Sequence, residues 1–201
     1  MAELGGIGPK GSRIVAADQT AASGTFEPDH LLIRDMRWTD IEQAQRIEEL
    51  SFPVDVWSCE TFWSELAGVP ERRRYLVGVS APVSGGADEV VAYAGLAFVG
   101  SECDVQTVVV SPDALGCGIG ERLLVELLET GTRMGCVLCH LEVRSDNEAA
   151  IALYRKYGFE VVSRRVGYYD GTADALMMQV ALPAAPRLVS RESNLASRGI
   201  Q

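Results

Sequence analysis

The chain has 201 residues, of which 47% are hydrophobic and 23% charged, and its formal net charge at pH 7 is −10. Such a chain can bury one good-sized core, so a single domain is the first expectation. It has no apolar run near the roughly 18 residues that span a bilayer, and its first residues lack the basic-then-apolar order of a secretory signal, so we expect a cytoplasmic protein with no membrane partner.

The acidic residues are concentrated between positions 31 and 182, where 23 acids stand against 13 bases. An acidic surface repels nucleic acid and anionic lipid, and it attracts a cationic amine or a basic polypeptide. We therefore expect no direct binding of nucleic acid. The alternative is a surface charge that only keeps the domain soluble.

Both ends of the chain are rich in small and polar residues without a sustained apolar period. This composition is typical of disordered segments. We expect disordered tails at 1–30 and 183–201, and one domain at 31–182.

The sequence of the first half of the domain predicts one strand, two helices and a hairpin of two further strands. LLIRDM is a strand from Leu31, and WTDIEQAQRIEELSF is a helix begun by Thr39, with Glu42 at the capping-box spacing. A second helix is expected from Ser58 to Leu66. The strands YLVGVS and VVAYAGLAFV flank the glycine-rich turn SGGADE, which predicts a hairpin.

The second half alternates between strands and helices. CDVQTVVVSP is a strand that leads into the helix LGCGIGERLLVELLETGTRMG, which Gly135 ends. CVLCHLEV is the next strand, and the helix SDNEAAIALYRKYGF begins at Ser145. FEVVSRRV and ADALMMQV close the sheet, so the fold class is mixed α/β.

The segment from Cys136 to His140 matches the C-x-x-C-H pattern of covalent haem attachment. Strand alternation puts Cys136 and Cys139 on opposite faces, whereas haem attachment needs both sulfurs at one porphyrin edge. The five cysteines are an odd count, which also argues against a disulfide framework. We expect neither haem nor metal. By the same alternation His140 shares a face with Glu142, either as a hydrogen-bonded sheet histidine or as an aid to a base.

Three glycines in five residues, Gly116, Gly118 and Gly120, stand at the entrance of a helix. Without side chains there, several backbone N–H groups can converge on a phosphate, helped by the helix dipole. A tight turn is the alternative for this pattern. It is neither the dinucleotide-binding fingerprint nor a Walker loop, because their remaining residues are absent.

Together, VVVSPDALGCGIGERLL, LEVRSDNEAAIALYRKYGF and GYYDGTADALMM resemble the GNAT acetyltransferase superfamily, in particular its ribosomal-protein-alanine N-acetyltransferase branch. The resemblance covers about Leu31 to Leu182. It implies a central, mostly antiparallel sheet with splayed fourth and fifth strands, flanked by about four helices. It further implies an enzyme that transfers acetyl from acetyl-CoA to a protein N-terminus, usually the alanine of a basic small-subunit ribosomal protein.

The resemblance also implies roles for single residues. The general base would be Glu142 and the general acid Tyr154. The pantetheine arm would pair with backbone at Val108, Val109 and Val110, and would hydrogen-bond Asn147. Main-chain N–H groups would hold the pyrophosphate at Gly116, Cys117, Gly118, Ile119, Gly120 and Glu121. Contacts to the acceptor would come from Phe52, Pro53, Val54, Tyr168 and Tyr169.

The predicted chemistry suits these residue types, because an α-amino group with a pKa of about 8 is partly neutral at pH 7 and a carboxylate can accept its proton. The chain departs from the family loop at Leu115 and Cys117, which predicts weaker cofactor binding. Two alternative functions are a small-molecule amine acetyltransferase and a non-catalytic acyl-CoA-binding adaptor. For the two proposed catalytic side chains, the alternatives are an edge glutamate and a core tyrosine.

Overall fold

A mixed sheet forms the centre of the protein in this computed structural model, which describes residues 13–15, 31–52, 56–80, 88–169 and 171–183. The strands are β1 Arg13–Val15, β2 Leu31–Asp35, β3 Arg73–Ser80, β4 Glu89–Val99, β5 Glu102–Val110, β6 Leu138–Arg144, β7 Glu160–Tyr169 and β8 Ala173–Ala181. Their order is β2-β3-β4-β5-β6-β8-β7, and β1 pairs with β5. Only the pairs β5–β6 and β1–β5 are parallel among the described strands.

Helices cover the two faces of this sheet. The helices are α1 Ile41–Ser51, α2 Cys59–Leu66, α3 Ile119–Arg133 and α4 Glu148–Lys156. The apolar stripes of α1 and α2 pack on one face around Tyr75 and Tyr93, whereas those of α3 and α4 pack on the other around Leu141 and Met178. The mixed α/β architecture predicted from the sequence is confirmed.

Strands β5 and β6 part midway along their length. They pair from Glu102 with Leu138 as far as Val105 with Leu141, and the rest of each strand pairs elsewhere. Gln106 is the cause, because it is an extra residue in β5 between the pairs formed by Val105 and Thr107 with β4. Such a bulge bends its strand. The predicted splay of the fourth and fifth strands, counted from Leu31, is confirmed.

The short strand β1 lies in the resulting gap. Arg13 pairs with Thr107, Ile14 with Val108 and Val15 with Val109. We expected disorder throughout 1–30, and the structure differs at these three residues. The edge of β5 beyond the bulge carries backbone groups that β6 no longer satisfies, and an extended segment can supply the missing partners. The remaining tail residues, 1–12, 16–30 and 184–201, lie outside the described residues.

Helix α1 begins later than the sequence predicted. Helix α1 starts at Ile41 and not at Thr39, because Trp38–Asp40 form a 3-10 turn. Within it, a carboxylate oxygen of Asp40 accepts the Arg37 N–H at 2.7 Å and so stabilises the turn. By contrast, α2 lies where it was predicted, and Ser58 caps it by accepting the backbone N–H of Thr61 at its Oγ. Most of the predicted SGGADE turn lies outside the described residues.

The start of α4 was also predicted two residues too early. Asn147 and not Ser145 is its N-cap, and its side-chain oxygen accepts the Ala150 N–H at 3.1 Å. Ser145 instead donates its backbone N–H to the carbonyl oxygen of Asp174 at 2.9 Å, close to the start of β8. A capping pattern depends only on residues near the helix start, so it could not predict that the distant Asp174 binds the Ser145 N–H.

The prediction that Cys136 and Cys139 face opposite ways was wrong, because both are buried in the core beneath α3 and α4. Alternation does not reach Cys136, since β6 begins only at Leu138 and the Cys136 N–H bonds the carbonyl of Gly131 at the end of α3. Burial raises the pKa of the Cys136 thiol to about 11. These cysteines therefore behave as small apolar residues of the core.

Candidate active site

Glu142, the predicted base, is an almost buried carboxylate on β6, with 5% of the residue exposed. Its two oxygens accept hydrogen bonds from Arg165 Nη1 at 3.1 Å and from the Tyr169 hydroxyl at 3.4 Å. Burial raises the pKa of Glu142, and the Arg165 charge and the Tyr169 hydrogen bond offset part of that rise. Such a carboxylate is a stronger base than one on the surface.

Aromatic and cationic side chains from β6 and β7 surround this carboxylate. Tyr168 and Tyr169 meet edge to face with ring centroids 5.3 Å apart. The guanidinium of Arg144 lies 4.9 Å from the Tyr169 ring centre, and that of Arg165 lies 5.3 Å from the Tyr168 ring centre. Burial, followed by the charge of Glu142, raises the pKa of Tyr169, so the phenol stays protonated and donates. The predicted acceptor residues Tyr168 and Tyr169 therefore lie beside the predicted base.

Tyr154, the predicted acid, lies on α4 with 1% of the residue exposed. Its hydroxyl has no hydrogen-bond partner within the described part of the chain. Burial raises its pKa well above the ordinary value. A buried hydroxyl without a partner costs about 1–3 kcal/mol, which is consistent with the predicted role of Tyr154 toward a bound group.

Glu142 and Tyr154 approach the sheet from opposite sides. Tyr154 belongs to the core beneath α3 and α4, together with Leu141 and Val143, whose side chains alternate with that of Glu142. The gap between β5 and β6 is where a group from each face can reach one bond. The roles of the two residues as base and acid remain predictions.

The glycine loop before α3 is open where a cofactor phosphate would need space. Gly116 and Gly118 have φ values of +77° and +74°, and a Cβ added at either would meet no atom within 4 Å. Gly118 is the N-cap of α3 and offers no capping side chain. The first backbone N–H groups of α3, at Ile119 and Gly120, thus face a site that fits an anion.

The two residues that depart from the family loop pack toward the protein. Leu115 and Cys117 are partly buried against the core beneath α3 and α4. The Cys117 thiol lies 3.7 Å from the Leu115 carbonyl oxygen. Neither side chain carries a charge, so at these two positions only backbone groups are available to bind an anion.

Lys156 brings a positive charge to this loop, which the sequence did not reveal. Glu121 in the first turn of α3 accepts hydrogen bonds from Lys156 Nζ at 2.6 Å and from the Tyr157 hydroxyl at 2.5 Å. The hydrogen bond from Lys156, followed by that from Tyr157, lowers the pKa of Glu121. This contact links α3 to α4. The positive charge of Lys156 offsets the negative charge of Glu121.

The residues predicted to contact the pantetheine arm already bind other parts of the chain in this structure. Val108, Val109 and Val110 pair with β4 along one edge of β5, and Val108 and Val109 pair with β1 along the other. Asn147 caps α4 through its side-chain oxygen. The roles expected for these residues toward acetyl-CoA remain predictions.

One buried residue, Glu48, contacts both ends of the loop between α1 and α2, through its carboxylate at Trp57 and through its backbone carbonyl at Phe52. Glu48 Oε2 accepts the Trp57 N–H at 3.1 Å, and Glu48 Oε1 accepts the Tyr93 hydroxyl. The Phe52 N–H bonds the Glu48 carbonyl at 2.8 Å, and Phe52 packs on the core beneath α1 and α2. Two further predicted acceptor residues, Pro53 and Val54, lie outside the described residues.

His140 pairs with a carboxylate on the neighbouring strand. Its Nε2 lies 2.8 Å from Glu102 Oε2. Asp104 is its partner in register on β5, and burial raises the pKa of that carboxyl to about 6. This geometry is that of a hydrogen-bonded sheet histidine, and an additional role of His140 as an aid to the base remains a prediction.

The sequence pattern of the acetyltransferase (GNAT) family matches residues 38–159. The chain belongs to this family. As a GNAT domain it is 42% identical over 145 residues to the N-alpha-acetyltransferase RimI of Mycobacterium tuberculosis, a match that covers 68% of this chain and 85% of that protein. Over 177 residues it is 36% identical to an uncharacterized protein of Mycobacterium leprae, covering 85% of this chain and 44% of that protein's length.

The GNAT fold also matches a solved structure. The crystal structure of the ribosomal-protein-S18-alanine N-acetyltransferase from Escherichia coli superposes with a TM-score of 0.67 and 30% identity, over 79% of this chain and 98% of that one. Within the residues that the structure describes, no helix has the length and apolar character needed to cross a membrane. The same residues contain no cluster of three or more potential metal ligands.

Proposed function

We propose that this GNAT domain transfers the acetyl group of acetyl-CoA to the N-terminal α-amino group of a protein. The observation that supports the proposal is a nearly buried carboxylate, Glu142, on one face of the sheet and a buried hydroxyl without a partner among the described residues, Tyr154, on the other. The N-terminal alanine of the ribosomal protein bS18 is the first candidate acceptor, because relatives at this level of identity are named for that activity.

The residues around the gap fit acetyl-CoA, which supplies the acetyl group as a thioester. Backbone N–H groups from Gly116 to Glu121 would hold the pyrophosphate, and Lys156 would offset the negative charge of Glu121 beside it. The β5 edge from Val108 to Val110 would bind the pantetheine arm, as would Asn147. The open space above Gly116 and Gly118 supports this assignment.

Proton transfer would be shared between the two faces of the sheet. Glu142 would accept the ammonium proton, directly or through a water, so that the free amine can attack. Little basicity is needed for an acceptor whose pKa is about 8. Tyr154 would donate its hydroxyl proton to the departing sulfur, and a β5 backbone N–H would stabilise the carbonyl oxygen as it gains charge.

The acceptor would lie on the sheet face that carries Glu142, where β6, β8 and β7 have no helix packed over them in the described structure. Tyr168 and Tyr169 line this face, and the α1–α2 loop held by Glu48 flanks the sheet on the same side. Acidic side chains of β5, Glu102 and Asp104, would favour a basic peptide. This surface supports a polypeptide acceptor over a small amine.

A panel of acceptors tests the proposal. The panel would contain a peptide with a free N-terminal alanine followed by basic residues, the same peptide with a blocked α-amino group and an internal lysine, and a polyamine. Mass spectrometry after incubation with acetyl-CoA should show transfer to the free α-amino group. Transfer to the polyamine alone would establish a small-molecule enzyme. Tight acetyl-CoA binding without transfer to any acceptor would establish the adaptor alternative.

A further inference from the structure

The edge of β5 past the bulge at Gln106 binds an extended segment of the chain itself. Residues Arg13–Val15 pair in parallel with Thr107–Val109 and also contact β6. They therefore lie in the gap where β5 and β6 have separated. The other edge of β5 is already used by β4, which pairs with the same valines, Val108 and Val109.

Each backbone group on a strand edge faces one neighbour, and neighbouring strands lie about 4.7–4.9 Å apart. A second extended chain cannot use the same edge while the first is in place. The pantetheine arm of acetyl-CoA is a chain of amides that would need this edge at Val108 to Val110. Both ligands therefore require the same backbone groups of β5.

We propose that Arg13–Val15 and acetyl-CoA compete for the β5 edge, so that the N-terminal strand is a self-inhibitory ligand of the cofactor cleft. This inference rests on the function proposed above. A strand of three residues makes few hydrogen bonds and is correspondingly easy to displace. Fifteen residues separate Val15 from Leu31, enough chain to span roughly 50 Å when extended, so β1 can leave the cleft without disturbing β2.

The competition has a measurable consequence for affinity. If only the fraction of molecules without β1 in the cleft binds acetyl-CoA, the apparent Kd equals the intrinsic Kd divided by that fraction. A segment that fills the cleft in nine of ten molecules would weaken binding about tenfold. Removing the segment from the edge should therefore tighten binding and leave the peptide KM unchanged.

The substitution Ile14→Pro tests this in the full chain, because proline lacks the N–H and fixes φ, and so cannot continue a paired strand. The matched control is Ala21→Pro, a proline outside β1 in the same N-terminal region. Calorimetry should show that Ile14→Pro lowers the Kd for acetyl-CoA by about three- to tenfold and that Ala21→Pro leaves it unchanged. Equal and measurable affinity in all three proteins would overturn the competition alone. Absence of acetyl-CoA binding in all three would overturn the proposed cofactor site as well.

Hydrogen exchange supplies a second measurement on the parent protein. Saturating acetyl-CoA should speed amide exchange at residues 13–15 and slow it at the start of α3, because the strand leaves as the cofactor enters. Unchanged exchange at 13–15, with slower exchange at Ile119 and Gly120, would show that cofactor and strand bind together and would overturn the proposal.

Discussion

Arg165 on β7 reaches across the intervening strand β8 to donate a 3.1 Å hydrogen bond to Glu142 on β6. The contact is diagonal, because Arg165 pairs with Ala175 on β8, and Ala175 pairs with Arg144, which lies two residues after Glu142 on β6. The guanidinium partly counters the rise that burial causes in the pKa of Glu142. Burial and the Arg165 charge therefore act on the pKa of Glu142 in opposite directions.

Replacing Glu142 by glutamine should lower kcat by about 10²–10⁴-fold, because the amide keeps the shape but cannot accept the ammonium proton. Acetyl-CoA affinity measured by calorimetry should stay within about twofold of the parent, since the cradle at Gly116–Glu121 is untouched. Glu160→Gln, an exposed carboxylate on β7, is the matched control and should retain parental turnover. Near-parental turnover of Glu142→Gln at pH 7 would remove this residue from the mechanism.

Replacing Arg165 by glutamine should change the pH dependence of the reaction. Burial raises the pKa of Glu142 and Arg165 opposes that rise, so the substitution should raise the pKa further. The base works only when ionised, so the acidic limb of kcat/KM should move to higher pH, and the deficit should shrink as pH increases. A profile of kcat/KM from about pH 5 to pH 9 measures this shift. With Arg165→Lys the acidic limb should lie close to its position in the parent protein. A loss of equal size at every pH would assign Arg165 a purely structural role.

Replacing Tyr154 by phenylalanine should separate catalysis from stability. Its hydroxyl has no partner among the described residues, so its removal should leave the free energy of unfolding unchanged or increase it by up to about 1 kcal/mol, while kcat falls. The same change at Tyr75, whose hydroxyl donates to Glu65 at 2.8 Å, should instead cost about 1–3 kcal/mol. Urea denaturation and turnover measure the two effects. Normal turnover with lower stability would make Tyr154 a structural residue.

Replacing Gly118 by aspartate should sharply weaken acetyl-CoA binding, because a side chain and a negative charge enter the open space at the start of α3. Gly118→Asn provides the uncharged comparison and should bind more tightly than Gly118→Asp. Gly100→Asp is the matched control, since Gly100 also has a positive φ, +62°, and open space around it, but lies in the β4–β5 turn. Calorimetry that finds parental affinity for Gly118→Asp would place the anion site elsewhere.

Local patterns in the sequence predicted the strands and helices between Leu31 and Leu182, with some helix starts displaced, and together with the GNAT resemblance they indicated three candidate parts of the site. The apolar period of 3.6 identified α3, and strand alternation identified β6 with Glu142 near its end. The glycines before α3 indicated a backbone anion site, and resemblance to GNAT proteins indicated Tyr154. These features depend on neighbours a few residues apart, which is the range over which sequence patterns carry information.

Only the tertiary structure decided which distant groups surround those residues. Arg165 reaches Glu142 because the strand order is β6-β8-β7, and Lys156 reaches Glu121 because α4 packs beside α3. The strand at Arg13–Val15 was missed because its stability comes from the edge that the bulge at Gln106 exposes on β5. No pattern within a short window encodes such contacts, since they depend on chain segments brought together by folding and not on the local preferences of either segment.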